Sequence, residues 1–223
     1  GMALGFLLGS LLSATTFSPL LGGWRNVLIL YGLTGALLSI PWFFSRSLPE
    51  HHPSIRSRIS MRAAVRHVAR IKNVWLLGFL YFGVGGCLQG LLGYLPLYLR
   101  GLGWEAIRAD GVMSAFHTIS LDFVLRIALW SDRLGSRKHL LSIAAIMIAL
   151  GTGLLSFASG GLIWVAVLIA GFVRDALMAV LFTTVIEVKG VGPVYAATAV
   201  ELTMALGGFG FILAPPIGNS MAS

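Results

Sequence analysis

The chain has 223 residues, of which 57% are apolar and 11% charged, with a net charge of +8 and a mean hydropathy of +0.89. Soluble domains carry about 25% charged residues, so this composition excludes water as the main solvent. The basic residues lie in short connections between apolar stretches rather than on one polar face, which excludes a nucleic-acid module and leaves no nucleic-acid partner.

The apolar stretches are continuous and long enough to cross roughly 30 Å of hydrocarbon as helices. A barrel strand would alternate polar and apolar residues, and only a helix satisfies its own backbone within one continuous run. The pattern predicts an all-α polytopic membrane protein, a helix bundle with seven spans. They fall near 3–22, 26–44, 74–99, 110–131, 138–158, 162–186 and 193–214.

The first span carries small residues at Gly5, Ala14, Ser18, Gly22 and Gly23, with Pro19 among them. Small residues let helices approach closely, and proline with glycine loosens a helix end. The chain opens on apolar sequence at Gly1, which predicts further chain before it. After the second span, residues 45–73 form a basic connection holding Arg46, Arg56, Arg58, Arg62, Arg66, Arg70 and Lys72. Four of these arginines recur every four residues, predicting a helix that lies on the membrane, with Met61, Val65, Val68 and Ala69 as its apolar neighbours. One reading of that helix is contact with anionic lipid; the other is a linker that only fixes topology.

The third span is glycine-rich, at Gly83, Gly85, Gly86, Gly90 and Gly93, and carries Gln89 near its centre, as well as the lone cysteine, Cys87. The fourth holds His117, Asp122 and Arg126. Asp122 precedes Arg126 by four residues, so the two can neutralise each other on one face. At the inner end of this span run Ala128, Leu129, Trp130, Ser131, Asp132, Arg133, Leu134, Gly135, Ser136, Arg137 and Lys138. Gly135 permits a tight turn there, and Glu187, at the inner end of the sixth span, is a carboxylate partner for Arg133 or Arg137.

The sixth span carries Arg174 and Asp175, and the seventh Glu201. By residue count, Asp122, Arg174, Asp175 and Glu201 all lie close to their span centres, within roughly 5 Å of the midplane. Ionisable groups in hydrocarbon are costly and point to a substrate or ion path. Arg174 and Asp175 lie roughly 100° apart on a helix, so partners on other helices are expected for both. Three carboxylates within spans face two guanidiniums, and the surplus acid can carry a proton. No metal or cofactor site is read from the sequence.

Basic residues set orientation, because they are retained on the cytoplasmic side. Eleven of them, in 45–73 and at Arg133, Arg137, Lys138 and Lys189, fall on one face against Arg25, Arg100 and Arg108 on the other. The expectation is an inner-membrane protein with the 45–73 linker in the cytoplasm. Trp24, Trp104 and Trp164 fall at outer ends and Trp42, Trp75 and Trp130 at inner ends, the headgroup levels that tryptophan prefers.

The run from Ala128 to Lys138 resembles the signature between paired helices of the major facilitator superfamily, with Ala128 where that signature has glycine. The first span is similar to the family's antiporter motif, with Ala14 and Ser18 in place of glycines. Ala214, Pro215, Pro216, Ile217 and Gly218 can be laid over Ser18 to Gly22, where two halves of such a fold would correspond.

The resemblance implies helices five to eleven of a twelve-helix transporter. Residues 1–44 would close the first half, 45–73 would link the halves, and 74–223 would supply five helices of the second. It further implies alternating access, with the Asp132, Arg133, Gly135, Arg137, Lys138 and Glu187 network holding the cytoplasmic side closed.

The function expected is secondary active transport of a small solute, coupled to protons through Asp175 or Glu201, with Arg174 as an anchor for an anionic group. Gln89, His117, Asp122 and Arg126 complete the expected pathway, in a protein that is monomeric when whole. The degraded antiporter motif favours efflux, and uptake of an organic anion is the nearest alternative. A seven-helix receptor is a second alternative. An enzyme is not expected, since no paired histidine ligands, serine elbow or phosphate loop is present.

Overall fold

The computed structural model describes residues 5, 8–9, 12–44, 60–134 and 137–222. Gly135 lies outside the described residues, as do Arg46, Arg56 and Arg58, and of Ala14, Ala128, Asp132 and Arg133 only the backbone is described. The chain divides into two compact units, Gly1–Arg58 and Ile59–Ser223, so the boundary falls inside the basic connection. Every regular element among the described residues is helical.

In the first unit, a π-helical turn over Ser13–Phe17 runs into a short helix α1, Ser18–Leu21. Pro19 explains that junction, because its ring clashes with the carbonyl four residues back and it has no N–H to donate, so the turn before it widens. Gly22, at φ 75°, ends α1 in the left-handed conformation open to glycine, and α2 follows over Trp24–Phe44. The two segments meet through the Ser13 and Tyr31 hydroxyls, 2.6 Å apart, and an edge-on contact of Phe17 with Tyr31.

The second unit contains α3 (Met61–Val68), α4 (Lys72–Gly101), α5 (Ala106–Leu134), α6 (Arg137–Leu154), α7 (Leu162–Phe172), α8 (Arg174–Glu187) and α9 (Gly192–Ala222). Short turns make the long helices run alternately up and down. We call the end bearing α3 and the α5–α6 and α8–α9 turns the basic end. Among the described residues, four stretches are long and apolar enough to cross a membrane: Lys72–Gly101, Arg137–Leu154, Leu162–Glu187 and Gly192–Ile217.

The sixth predicted span is broken at Val173, which separates α7 from α8 at φ −107° and ψ −3°. The Val173 N–H turns back to the Gly171 carbonyl, interrupting the helical ladder. The core joins α4 through α8 around Phe116, Leu99, Ile148, Ile163, Leu177 and Leu181, all fully buried.

The tightest pairing is α4 with α9, and glycine makes it possible. A Cβ at Gly210 would strike the Phe82 carbonyl, and one at Gly207 the Tyr81 ring. On the facing side, Gly85 and Gly86 leave only 3.2 Å from a hypothetical Cβ to Phe211 and to Ala214. Close approach of this kind replaces the hydrophobic drive that lipid cannot supply. The glycine stripe of the third predicted span therefore packs in part as expected, whereas Gly83, Gly90 and Gly93 face open space.

Helix α3 does lie across the basic end, and of the apolar neighbours expected for it only Val68 is buried. Ser60 caps it, accepting from the Ala63 N–H at 3.3 Å, while Ala64 and Val68 are buried. Met61, Val65 and Ala69 are exposed, although Met61 lies only about 20–60° round the helix from Val68 and Ala64. Val68 enters a small second core with Val74, Val185, Val191 and Ala199.

Candidate functional site

The break at Val173 places charged groups inside the second unit. Arg174 and Asp175 open α8, their side chains only 11% and 20% exposed, and they pair with each other at 3.2 Å. This corrects the expectation that adjacency would keep them apart. Cα–Cβ directions diverge by about 100° on a regular helix, but a long guanidinium folds back onto its neighbour where the helix has just restarted.

Helix α5 supplies the rest of the cluster. An Arg174 guanidinium N–H donates to His117 Nδ1 at 3.4 Å, and the same guanidinium lies over the Phe116 ring at 5.8 Å. His117 is 4% exposed and Ser120 fully buried. The Asp175 backbone N–H, freed by the broken ladder, donates to Ser120 Oγ at 3.2 Å. Position in the first turn of α8 also suits Asp175, since a helix N-terminus favours an anion. One carboxylate oxygen, Oδ2, is buried and has no hydrogen-bond partner among the described residues.

The other predicted midplane residues do not join this cluster. Gln89, Asp122, Arg126 and Glu201 are exposed on the unit's surface. Asp122 lies about 200° round α5 from the buried Ser120, and Glu201 about 200° round α9 from the buried Thr203. Asp122 and Arg126 form no ion pair; the Arg126 guanidinium instead lies over the Phe123 ring at 5.3 Å. Exposed carboxylates of this kind carry little folding energy, so Asp122→Asn and Glu201→Gln are each expected to leave stability within about 0.5 kcal/mol of the parent, as read by thermal unfolding.

At the basic end, Arg137 and Glu187 form a close ion pair between the starts and ends of neighbouring helices, joining α6 to α8. Glu187 was the carboxylate expected there, and Arg137 rather than Arg133 is the partner described. Lys138 is exposed beside it. At the opposite end, Arg100 and Asp110 pair at 2.7 Å across the α4–α5 turn. That pair was missed, although a cation closing one helix and an anion opening the next is a readable signal.

Ser18 and Pro19 open α1, and Gly22 and Gly23 form the turn after it, within the first unit. Among the described residues no group of histidine, cysteine and carboxylate side chains could hold a metal.

Long apolar helices packed around a buried ion pair at a helix break are the architecture of an integral membrane bundle with a polar interior. A family model, Major Facilitator Superfamily, matches residues 1–215, and the chain belongs to that superfamily of membrane transporters. No curated protein and no solved structure matches it. Family membership sets aside the seven-helix receptor.

Proposed function

We propose that this chain takes part in proton-coupled secondary transport of a small solute, with the Arg174, Asp175, His117 and Ser120 cluster at the centre of the path. The observation that carries this reading is the buried carboxylate at the α7–α8 break, one of whose oxygens has no hydrogen-bond partner among the described residues. Such an oxygen can accept a proton or a donor group of a solute. The neighbouring guanidinium then has one fewer negative partner and becomes available to an anionic group, so protonation and solute binding are linked through one ion pair.

Gln89, Asp122, Arg126 and Glu201 line the exposed faces of α4, α5 and α9 and serve as outer stations of the same path. Residues 1–44 and 74–223 belong to the two halves of the transporter, joined by 45–73 on the cytoplasmic side. The Arg137–Glu187 pair acts as a cytoplasmic latch together with Asp132, Arg133, Gly135 and Lys138. The first-span motif around Ser18 and Pro19 favours efflux, with uptake of an organic anion as the alternative that Arg174 supports.

The test starts with a thermal-shift screen of the purified protein against anionic metabolites and lipophilic cations, since a ligand of the folded state raises its melting point. A hit is then followed in vesicles loaded with a pH-sensitive dye. Asp175→Asn is expected to retain ligand binding and lose ligand-driven proton movement. Unaltered proton movement in Asp175→Asn, Asp122→Asn and Glu201→Gln alike would sink proton coupling. For the latch, Arg137→Glu and Glu187→Arg should each impair flux and the double exchange should restore it, at a stability cost below about 1 kcal/mol because Glu187 is largely exposed.

A further inference from the structure

Helix α3 is not a freely solvated linker. His67 Nε2 lies 2.8 Å from the Gly190 carbonyl, and its ring stacks on Tyr195 at 4.2 Å. Together with buried Ala64 and Val68, these contacts fix which side of α3 faces outward. On that side stand Arg62, Arg66 and Arg70, all exposed, and none of them pairs with a carboxylate among the described residues. Lys72 and Lys189 are exposed at the same end, where the described carboxylate, Glu187, is already engaged by Arg137.

The level of α3 along the bundle is also marked. The Trp75 indole N–H donates to the Ala69 carbonyl at 2.8 Å, tying the last turn of α3 to an indole. Just along α4, Leu76 and Phe79 are 56% and 58% exposed, an apolar surface suited to acyl chains. Tryptophan sits at the headgroup boundary, so its carbonyl partner sits there too. Met61 and Val65 stay exposed beside the guanidiniums, giving the outward face the amphipathic mixture of an interfacial helix.

We infer that the outward face of α3 is a preformed binding site for the headgroups of anionic phospholipids, with Arg62, Arg66 and Arg70 as the phosphate-binding groups. Guanidiniums donate in a planar fork that matches phosphate oxygens, and they bury their stems along apolar surface while the charge stays wet. Docking removes the ordering cost that a free basic segment would bear on binding. The inference needs only the membrane setting and does not depend on the proposed transport path.

The experiment uses the chain in phosphatidylcholine nanodiscs, titrated with brominated phosphatidylglycerol or brominated phosphatidylcholine. The readout is the part of the tryptophan quenching that disappears in Trp75→Phe. Phosphatidylglycerol should quench Trp75 with an apparent affinity on the order of tenfold or more above phosphatidylcholine, as several basic residues near a membrane surface provide. Arg62→Ala/Arg66→Ala/Arg70→Ala should bring the two lipids together, whereas the matching lysine variant keeps most of the preference. If the triple alanine variant does not fold, Arg66→Ala alone should reduce the preference by roughly fivefold. Equal quenching by both lipids in the parent, or a preference untouched by the alanine changes, would overturn the inference.

Discussion

Gly210→Val is expected to destabilise the protein by about 3 kcal/mol, the upper range for forcing atoms into a packed interior. The site cannot relax cheaply, because the Cβ meets the Phe82 backbone carbonyl and not the tip of a side chain. Moving that carbonyl means separating α4 from α9 along a seam that also holds Gly207 against Tyr81 and Gly86 against Ala214. Gly208→Ala is the internal control. Nothing lies within 4 Å of its Cβ position, so it should be neutral or stabilising by up to about 1 kcal/mol, since alanine is the better helix former. Thermal unfolding in detergent compares the two. Equal melting points for Gly210→Val and Gly208→Ala would show that the seam is looser than described.

Removing Arg174 has the second large effect. Arg174→Met keeps much of the length and apolar stem but leaves the Asp175 carboxylate buried without its cation, at a cost of about 3 kcal/mol. Asp175→Asn should cost less, because the guanidinium keeps His117 and the Phe116 ring and the amide oxygen can still accept from it. The double variant Arg174→Met/Asp175→Asn should be less destabilised than the sum of the singles, since neither an unpaired cation nor an unpaired anion remains. The coupling energy of that cycle, measured by unfolding, checks the pair independently of transport. Additive singles would mean that the two charges do not interact.

The sequence made the helices plain, because each needs an unbroken apolar run and nothing else competes for such a run in lipid. Azimuth was not readable. Asp122 and Glu201 point away from Ser120 and Thr203, and which side of a helix turns inward depends on neighbours that a single span does not reveal.

The same gap explains α3. The four-residue recurrence of arginines marked the helix and its polar side, and Val68 docks as expected, yet it is joined by Ala64 while Met61 and Val65 stay exposed. Val68 packs against Val74, Val185 and Val191, whereas Met61 projects. The break at Val173 left no mark in composition, since valine is ordinary within a span. It was this break that turned Arg174 and Asp175 from unrelated neighbours into a pair. The Glu187 partner was legible because a loop-end carboxylate facing a run of bases has few other choices.

The interrupted ladder at Val173 has a dynamic consequence. The Asp175 amide is held by the Ser120 hydroxyl, a group on another helix that can rotate away, and not by a carbonyl of its own turn. Bending α8 relative to α7 is eased at this point, because the Asp175 amide exchanges a bond to another helix and not a rung of its own. The span can flex at this one residue while α4 and α9, locked through their glycines, move as a single rod. In deuterated buffer the Asp175 amide should accordingly exchange ahead of its neighbours on either side, and Ser120→Ala should quicken it further.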